Sequence, residues 1–484
     1  MDELVWSEVN MHRVWKVGAR QLWRCGLLGG LVLVLAACGG DDGPNVRVRA
    51  VHASADAPAV DVAFGGVPLA NAVQFKQAGG YVGVGAGSAP LTVNVAATST
   101  TVLSANVSVS ADRNYSAIVV GSASSNAPSA QRLAAVLIED DGAAPAAGQV
   151  KLRVVHGAPA VAAVDIYVTA PGDPLPAAPT VPALPYRAVA PASGAPALQV
   201  PAGNYRVRVT PAGNASTVAF DSGALSLAAG SDLLLVAIPR PGGVSPISLL
   251  AVPAAGAAFE IVDTRAALRV GHFAPNVPAV DVFLKAPGQA NSATNRVLTN
   301  VAFPVDSGYL RVPNGTYDAA VALTGSLASV LELNGAALPA SGSRSIFAIG
   351  LLGGTGAQAP RLAAFVDDRV PVEGKAKVRV LHLSPDAPAV DVVVLSGGGI
   401  AARPVVNLAF PNATTTALLL DPGTYTLGVV PTGQSSPILP SASGVPVTLA
   451  ASSVVSVAAV GCLNTASGPC AGGAPFQFKV LDDR

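Results

Sequence analysis

Four histidines and four aspartates recur at one fixed spacing. His52, His156, His272 and His382 are each followed nine residues later by an aspartate: Asp61, Asp165, Asp281 and Asp391. Imidazole and carboxylate side chains are the raw material of acid–base catalysis, of nucleophile–base pairs and of metal sites. The segments that hold them are VRVRAVHASADAPAVDV (46–62), KLRVVHGAPAVAAVDIYV (151–168), ALRVGHFAPNVPAVDVFL (267–284) and VRVLHLSPDAPAVDVVV (378–394). A hydrolase of the Ser-His-Asp type needs a nucleophile beside the imidazole. Two residues past the histidine stand Ser54, Ala158, Ala274 and Ser384, so only two copies offer a hydroxyl. A zinc site needs three or four ligands. Each copy supplies one His and one Asp, joined by Asp56 or Asp386 in two copies. The expectation is therefore a structural clamp, with no catalytic residue, no metal and no cofactor. The His ends one strand, a Pro-containing loop crosses, and the Asp opens the next strand. Its carboxylate accepts from loop N–H groups or from the imidazole, because the prolines of the loop donate nothing.

The elements that must position this pair recur with it. Successive histidines of the motif are about 110 residues apart, too long for a solenoid unit and long enough for a domain. Downstream lie an aromatic (Phe75, Tyr186, Phe303, Phe410), then a turn entering a strand: PAGNYRVRV (201–209), PNGTYDAAV (313–321), DPGTYTLGV (421–429). Each unit closes on a strand with an acidic end: RLAAVLIEDD, FEIVDTR, RLAAFVDDR, FQFKVLDDR. Val46-Arg47-Val48-Arg49 and Tyr205-Arg206-Val207-Arg208-Val209 alternate apolar and polar residues, which puts one set on a core and the other in water. Seven or eight short strands per unit, with turn residues between them, predict an all-β protein of four tandem immunoglobulin-like antiparallel β-sandwich domains. Their expected bounds are 46–142, 149–265, 266–370 and 377–484. Tyr205, Tyr317 and Tyr425 could stack on sugars, but are expected to pack at core edges with their hydroxyls bonded. A transmembrane barrel would need aromatic girdles, and every Trp of the chain (Trp6, Trp15, Trp23) precedes residue 38.

The VRVLHLSPDAPAVDVVV and VRVRAVHASADAPAVDV segments resemble the opening of the domain-of-unknown-function family numbered 4397. So do the turn-and-strand DPGTYTLGV and the short acidic final strand. The resemblance covers four units, nearly all of 45–484. The second unit departs from it, with Ala160 and Ala162 where the others carry Asp or Asn and Pro. The resemblance implies an exported bacterial protein, often with tandem copies behind a lipoprotein signal, and implies no activity.

Composition and the leader say where the chain goes. Lys plus Arg is 29 and Asp plus Glu is 29, which argues against a nucleic-acid partner, since that needs clustered positive charge. Residues 12–24 carry Arg13, Lys16, Arg20 and Arg24 and no acid. The uncharged apolar run 26–37 is too short for a helical span of about 20 residues and fits the apolar region of a secretory signal. Asp2, Glu3 and Glu8 fit a signal poorly, so translation starting at Met11 is an alternative to Met1. Leu35-Ala36-Ala37-Cys38 resembles a lipobox. The expectation is a signal peptide over 1–37, a lipidated Cys38 with a tether over 38–45, and a cell-envelope location, the outer membrane if the source is Gram-negative, since Gly39 rather than Asp follows the Cys. Cys462 and Cys470, the remaining cysteines of an exported chain, are expected to form a disulfide. The functional expectation is a non-enzymatic cell-envelope lipoprotein, membrane-held through its lipid, acting as a spacer or interaction module for an envelope protein or glycan partner. The alternative is a lipoprotein that binds glycans or small molecules.

Overall fold

The computed structural model describes residues 46–140 and 142–484. The 1–37 leader and Cys38 lie outside them. Four β-sandwiches follow one another along the chain, each made of two facing sheets. The first, third and fourth have eight strands each, and the second has ten.

One sheet of each sandwich contains the strand that ends in the motif histidine: Val46–His52, Gln149–His156, Ala266–His272 and Ala376–His382. Beside this His strand runs the penultimate long strand of the domain (Asn114–Val120, Asp232–Pro239, Ser343–Ile349, Val454–Val460). The two are parallel in all four copies. The sandwiches are thus not wholly antiparallel. The chain leaves the His sheet, builds the opposite sheet, and returns in the same direction, as a parallel pair requires. The closing strand (Ala134–Asp140, Ile247–Pro253, Arg361–Val366, Gln477–Asp482) then pairs antiparallel with the penultimate one.

The opposite sheet contains the strand that carries the motif aspartate: Val60–Phe64, Val164–Thr169, Val280–Lys285 and Val390–Ser396. Every pairing in this Asp sheet is antiparallel. In the first sandwich this strand alternates as expected, whereas Val164–Tyr167, Val280–Lys285 and Val390–Val393 are buried throughout. In Val60–Phe64 the residues Val60, Val62 and Phe64 are buried, and Asp61 and Ala63 are half-buried.

The His sheets break the alternation. Every residue of Ala266–His272 is buried, and so are Leu233–Ile238 in the second sandwich. The cause is a second core on the outer face. Val51, Ile118, Val120 and Ile138 of the first sandwich pack with Val155, Leu234, Val236, Ile238 and Leu250 of the second. Phe273, Phe347 and Ile349 of the third pack with Leu381, Leu383, Ala458, Val460 and Leu481 of the fourth. Strands buried on both faces read as continuous apolar runs rather than as alternating ones. The first and second sandwiches, and the third and fourth, are therefore stacked in pairs, His sheet against His sheet. Arg49, expected in water from its place in the pattern, is buried in consequence. Arg208 is buried as well, its Nη2 donating to Thr169 Oγ1 and to the carbonyls of Asp173 and Pro174.

Candidate functional site

The motif histidine and aspartate do not touch each other; each fastens a different piece of backbone. All four imidazoles are buried. Their Nε2 atoms lie 3.0, 3.0, 3.0 and 2.9 Å from the carbonyls of Pro58, Ala162, Pro278 and Pro388, six residues on. In the first three copies Nδ1 accepts the backbone N–H two residues on, from Ser54, Ala158 and Ala274. A nitrogen facing a carbonyl must carry the proton, and one facing an N–H must not, so this geometry selects the neutral Nε2–H tautomer. The ring cross-braces the loop that links the two sheets. Burial holds all four imidazoles below their ordinary pKa, the carbonyl contacts opposing it only in part.

The downstream aromatics complete this brace. Phe75, Tyr186 and Phe410 meet His52, His156 and His382 edge-on, with ring centroids 6.3, 6.1 and 6.2 Å apart. Phe303 holds the corresponding place against the core between the third and fourth sandwiches.

The aspartates serve the other sheet. Opposite each one the neighbouring strand holds an extra residue, a β-bulge: the register jumps from Val60↔Val73 to Val62↔Ala70, and likewise around Asp165, Asp281 and Asp391. One carboxylate oxygen accepts the N–H of the bulge residue, Ala72, Ala183, Asn300 or Asn407, at 2.7–2.9 Å. The other accepts from Ala97, Gly213, Gly325 or Gly433, in the turn on the opposite side, at 2.8–3.2 Å. All eight donors have positive φ, between 45° and 85°. That conformation costs energy for a residue with a Cβ and leaves its N–H outside the ladder. The aspartate thus pins two left-handed kinks at once. Buried Asp281 and Asp391 stay ionised: burial works against the charge, but the two N–H groups and a nearby arginine (Arg296 or Arg403) hold their pKa values below the usual carboxylate range. The carboxylate thus accepts neither from the imidazole nor from the proline-containing loop, the two roles expected of it, but from a bulge and a turn of its own sheet.

The neighbouring hydroxyls are also committed. Ser54 Oγ donates to Gly121 O and Ser384 Oγ to Gly461 O, both at 2.7 Å. Neither hydroxyl is bonded to the imidazole, so no nucleophile–base pair is formed. Asp56 accepts from Ser122 Oγ and Ala123 N, and Asp386 from Leu463 N and Asn464 N. Cys462 and Cys470 are joined, with an S–S distance of 2.01 Å. Asp386 lies beside them, but sulfurs bonded to each other offer no thiolate to a metal. Tyr205, Tyr317 and Tyr425 pack against their cores, and each donates its hydroxyl to a carbonyl four residues back, on Pro201, Pro313 and Asp421.

One recurrent residue escaped the sequence reading. An arginine stands three residues before each histidine: Arg49, Arg153, Arg269 and Arg379. It lies on the face turned to the partner sandwich. In the second pair the charges form a closed ring. Arg269 Nε donates to Ser345 Oγ, which donates to Asp367; Arg379 Nη1 lies 2.8 Å from Asp367. Arg379 Nε donates to Ser456 Oγ, which donates to Asp483, and Arg269 Nη2 closes the ring on Asp483 at 2.6 Å. Each sandwich lends the other an arginine and receives one. The first pair has half a ring: Arg49 donates to Ser116 Oγ and to Pro253 O, and Ser116 to Asp140. The second sandwich has Leu234 in register with Arg153 where the others have serine. Arg153 turns instead to the carbonyls of Pro191, Ala192 and Ala195. The signal was the Arg-x-x-His spacing itself, visible in all four segments.

With this geometry in view, comparison places the repeat among known sequences. A family model described as "Domain of unknown function (DUF4397)" matches residues 46–167, 182–283 and 266–393. No curated protein matches the chain. Among solved structures the chain is similar to "The Bacillus anthracis TIE protein", at 8% identity and a TM-score of 0.14, over 82% of this chain and 64% of that one. At that score the likeness carries no argument.

Two tests follow from the clamp. In the unfolded chain the imidazoles titrate near 6.5, and in the folded chain lower, so the unfolded state binds more protons just below that pH. Their contribution is complete above 6.5 and is lost as pH falls from there through the folded values. The urea midpoint of the 44–484 chain should drop between about pH 7.5 and pH 5. Asp140, whose pKa burial raises, opposes this, but as one group against four. A midpoint that is flat or rises on acidification would contradict the neutral clamp. Separately, Asp391→Ala in the same chain should lower stability by about 1–3 kcal/mol by leaving its donors unpaired. Zn²⁺ or Ca²⁺ should leave the wild-type melting temperature where chelator leaves it, because a ligand of the native state would raise it. A metal-dependent rise that Asp391→Ala abolishes would make the aspartate a ligand.

Proposed function

The chain belongs to the DUF4397 family, and from that membership we propose that it is a non-enzymatic lipoprotein of the bacterial cell envelope, a spacer or protein-interaction module held to a membrane by lipid on Cys38. The observation that carries this reading is that the recurrent polar side chains are spent inside the fold. The imidazoles brace their own loops, the carboxylates pin bulges, the hydroxyls meet carbonyls, and three of the four arginines bind sandwich to sandwich. A chain that uses its imidazoles and carboxylates four times over for construction is built to hold a shape. Stacked pairs support the spacer role, since a large apolar contact between domains restrains the relative motion expected of a chain of separate domains.

The leader supports the location. Among the described residues no helix is long and apolar enough to cross a membrane; the attachment proposed is the lipid on Cys38. Each buried CH₂ contributes about 0.8 kcal/mol, and two or more acyl chains hold firmly where one does not. Gly39 after the cysteine favours the outer membrane in a Gram-negative source. Metabolic labelling with palmitate should mark the wild-type chain and leave Cys38→Ala unmarked. Equal labelling of both would remove the anchor, and with it the envelope reading. The alternative, a lipoprotein that binds a glycan or small molecule, draws support from one place, an apolar cavity in the second sandwich.

A further inference from the structure

The second sandwich has a void where the third is filled. Between its sheets lies a cavity of about 280 Å³. Leu152, Leu235 and Leu249 of the His sheet face Ile166, Val207 and Leu225 of the Asp sheet across it. At the corresponding place in the third sandwich, bounded by Leu268, Val270, Val282 and Ile346, the space is about 10 Å³. Interiors pack with few voids larger than a water, and a residual cavity destabilises in proportion to its volume. A space this large is not a by-product of ordinary packing.

Its origin can be traced along the chain. In the third sandwich the strand beside the His strand runs unbroken from Asp306 to Val312. In the second the same edge is divided into Val189–Ala190 and Leu198–Pro201. The segment between them is the one whose carbonyls at Pro191, Ala192 and Ala195 are held by Arg153. This segment contains Pro191 and Pro196, which have no N–H to give a ladder, and Arg153, with no serine in register, holds three of its carbonyls. The cavity opens at this side, where Pro191 and the exposed Thr180 and Pro182 line it.

The lining decides the ligand. It contains no charged side chain. The one imidazole, His156, has both ring nitrogens engaged by Ala162 and Ala158. Thr180 Oγ1 already accepts the N–H of Val168 at the mouth. A charge placed inside would be desolvated without a partner. The volume is roughly twice that of a 150 Å³ apolar cavity that stays dry and takes up benzene. We propose that the second sandwich is a binding site for a small neutral apolar molecule, of about the size of a fused two-ring hydrocarbon, inserted between its sheets. The activity this adds is capture of an apolar compound, a role independent of the spacer reading.

Naphthalene is the probe. Equilibrium dialysis of the 44–484 chain should retain one naphthalene per chain, and naphthalene should raise the melting temperature. Naphthalene-2-sulfonate, the same rings with a charge, should bind at least about tenfold more weakly. Ala237 faces the cavity from the middle of the His sheet. Ala237→Leu fills it and should abolish retention without lowering the melting temperature of the free protein. If that variant does not fold, Leu225→Phe fills from the opposite sheet and answers the same question. No retention of naphthalene by the wild type, or equal retention by a folded filled variant, overturns the proposal. Tight binding of the sulfonate would also overturn it, because the site would then be a polar surface rather than this cavity.

Discussion

The structure depends on burying the outer face of the His sheet. A single sandwich of this sequence would leave Leu381, Leu383, Ala458 and Val460 facing water, with Arg379 rising among them. Pairing two sandwiches turns that liability into a second core. It also forces a solution for the arginines, since a charge taken from water costs more than it returns unless it is paired and its hydrogen bonds are filled. In the second pair the solution is reciprocal. Two arginines, two serines and two aspartates form one ring, with each ion pair crossing the interface. The symmetry resembles that of a two-fold dimer, produced here inside one chain by repetition.

Much of this was legible in the residues. The repeat, the all-β class and the strand-loop-strand placement of the His–Asp motif follow from spacing, period 2 and turn residues, and the Asp strand of the first sandwich alternates as read. The His sheets do not, for a reason outside the local pattern. Arg49 occupies a position that alternation assigns to solvent, and only the partner sandwich reassigns it. The parallel pairing of the His strand was also hidden, because strand order depends on contacts about 70 residues apart or more. The aspartate does accept backbone N–H groups, but from a bulge and a turn rather than from the proline-containing loop that the motif suggested. Its partners could not be named, because a bulge is an extra residue relative to a neighbouring strand and no single strand reveals it.

The second sandwich shows what happens when one member of the set changes. Its departure was visible as Ala160 and Ala162 in the motif loop, and the brace survives because the carbonyl of residue 162 serves as well as that of a proline. The consequential change lies elsewhere. Leu234 stands in place of serine, Arg153 binds loop carbonyls, and beside that loop the edge strand is divided and the core is open. Arg153 of the interface and the opened edge of the core thus meet in one segment, residues 191–195.

Native-state hydrogen exchange tests the pairing most directly. Amides in the core strands Ser343–Ile349 and Val454–Val460 belong to different sandwiches but to one shared core. If that core governs stability, the two strands open together, with the same free energy and the same dependence on denaturant. Opening of the fourth sandwich at a distinctly lower free energy, while the third stays protected, would show that the sandwiches are independent and that the shared layer is incidental.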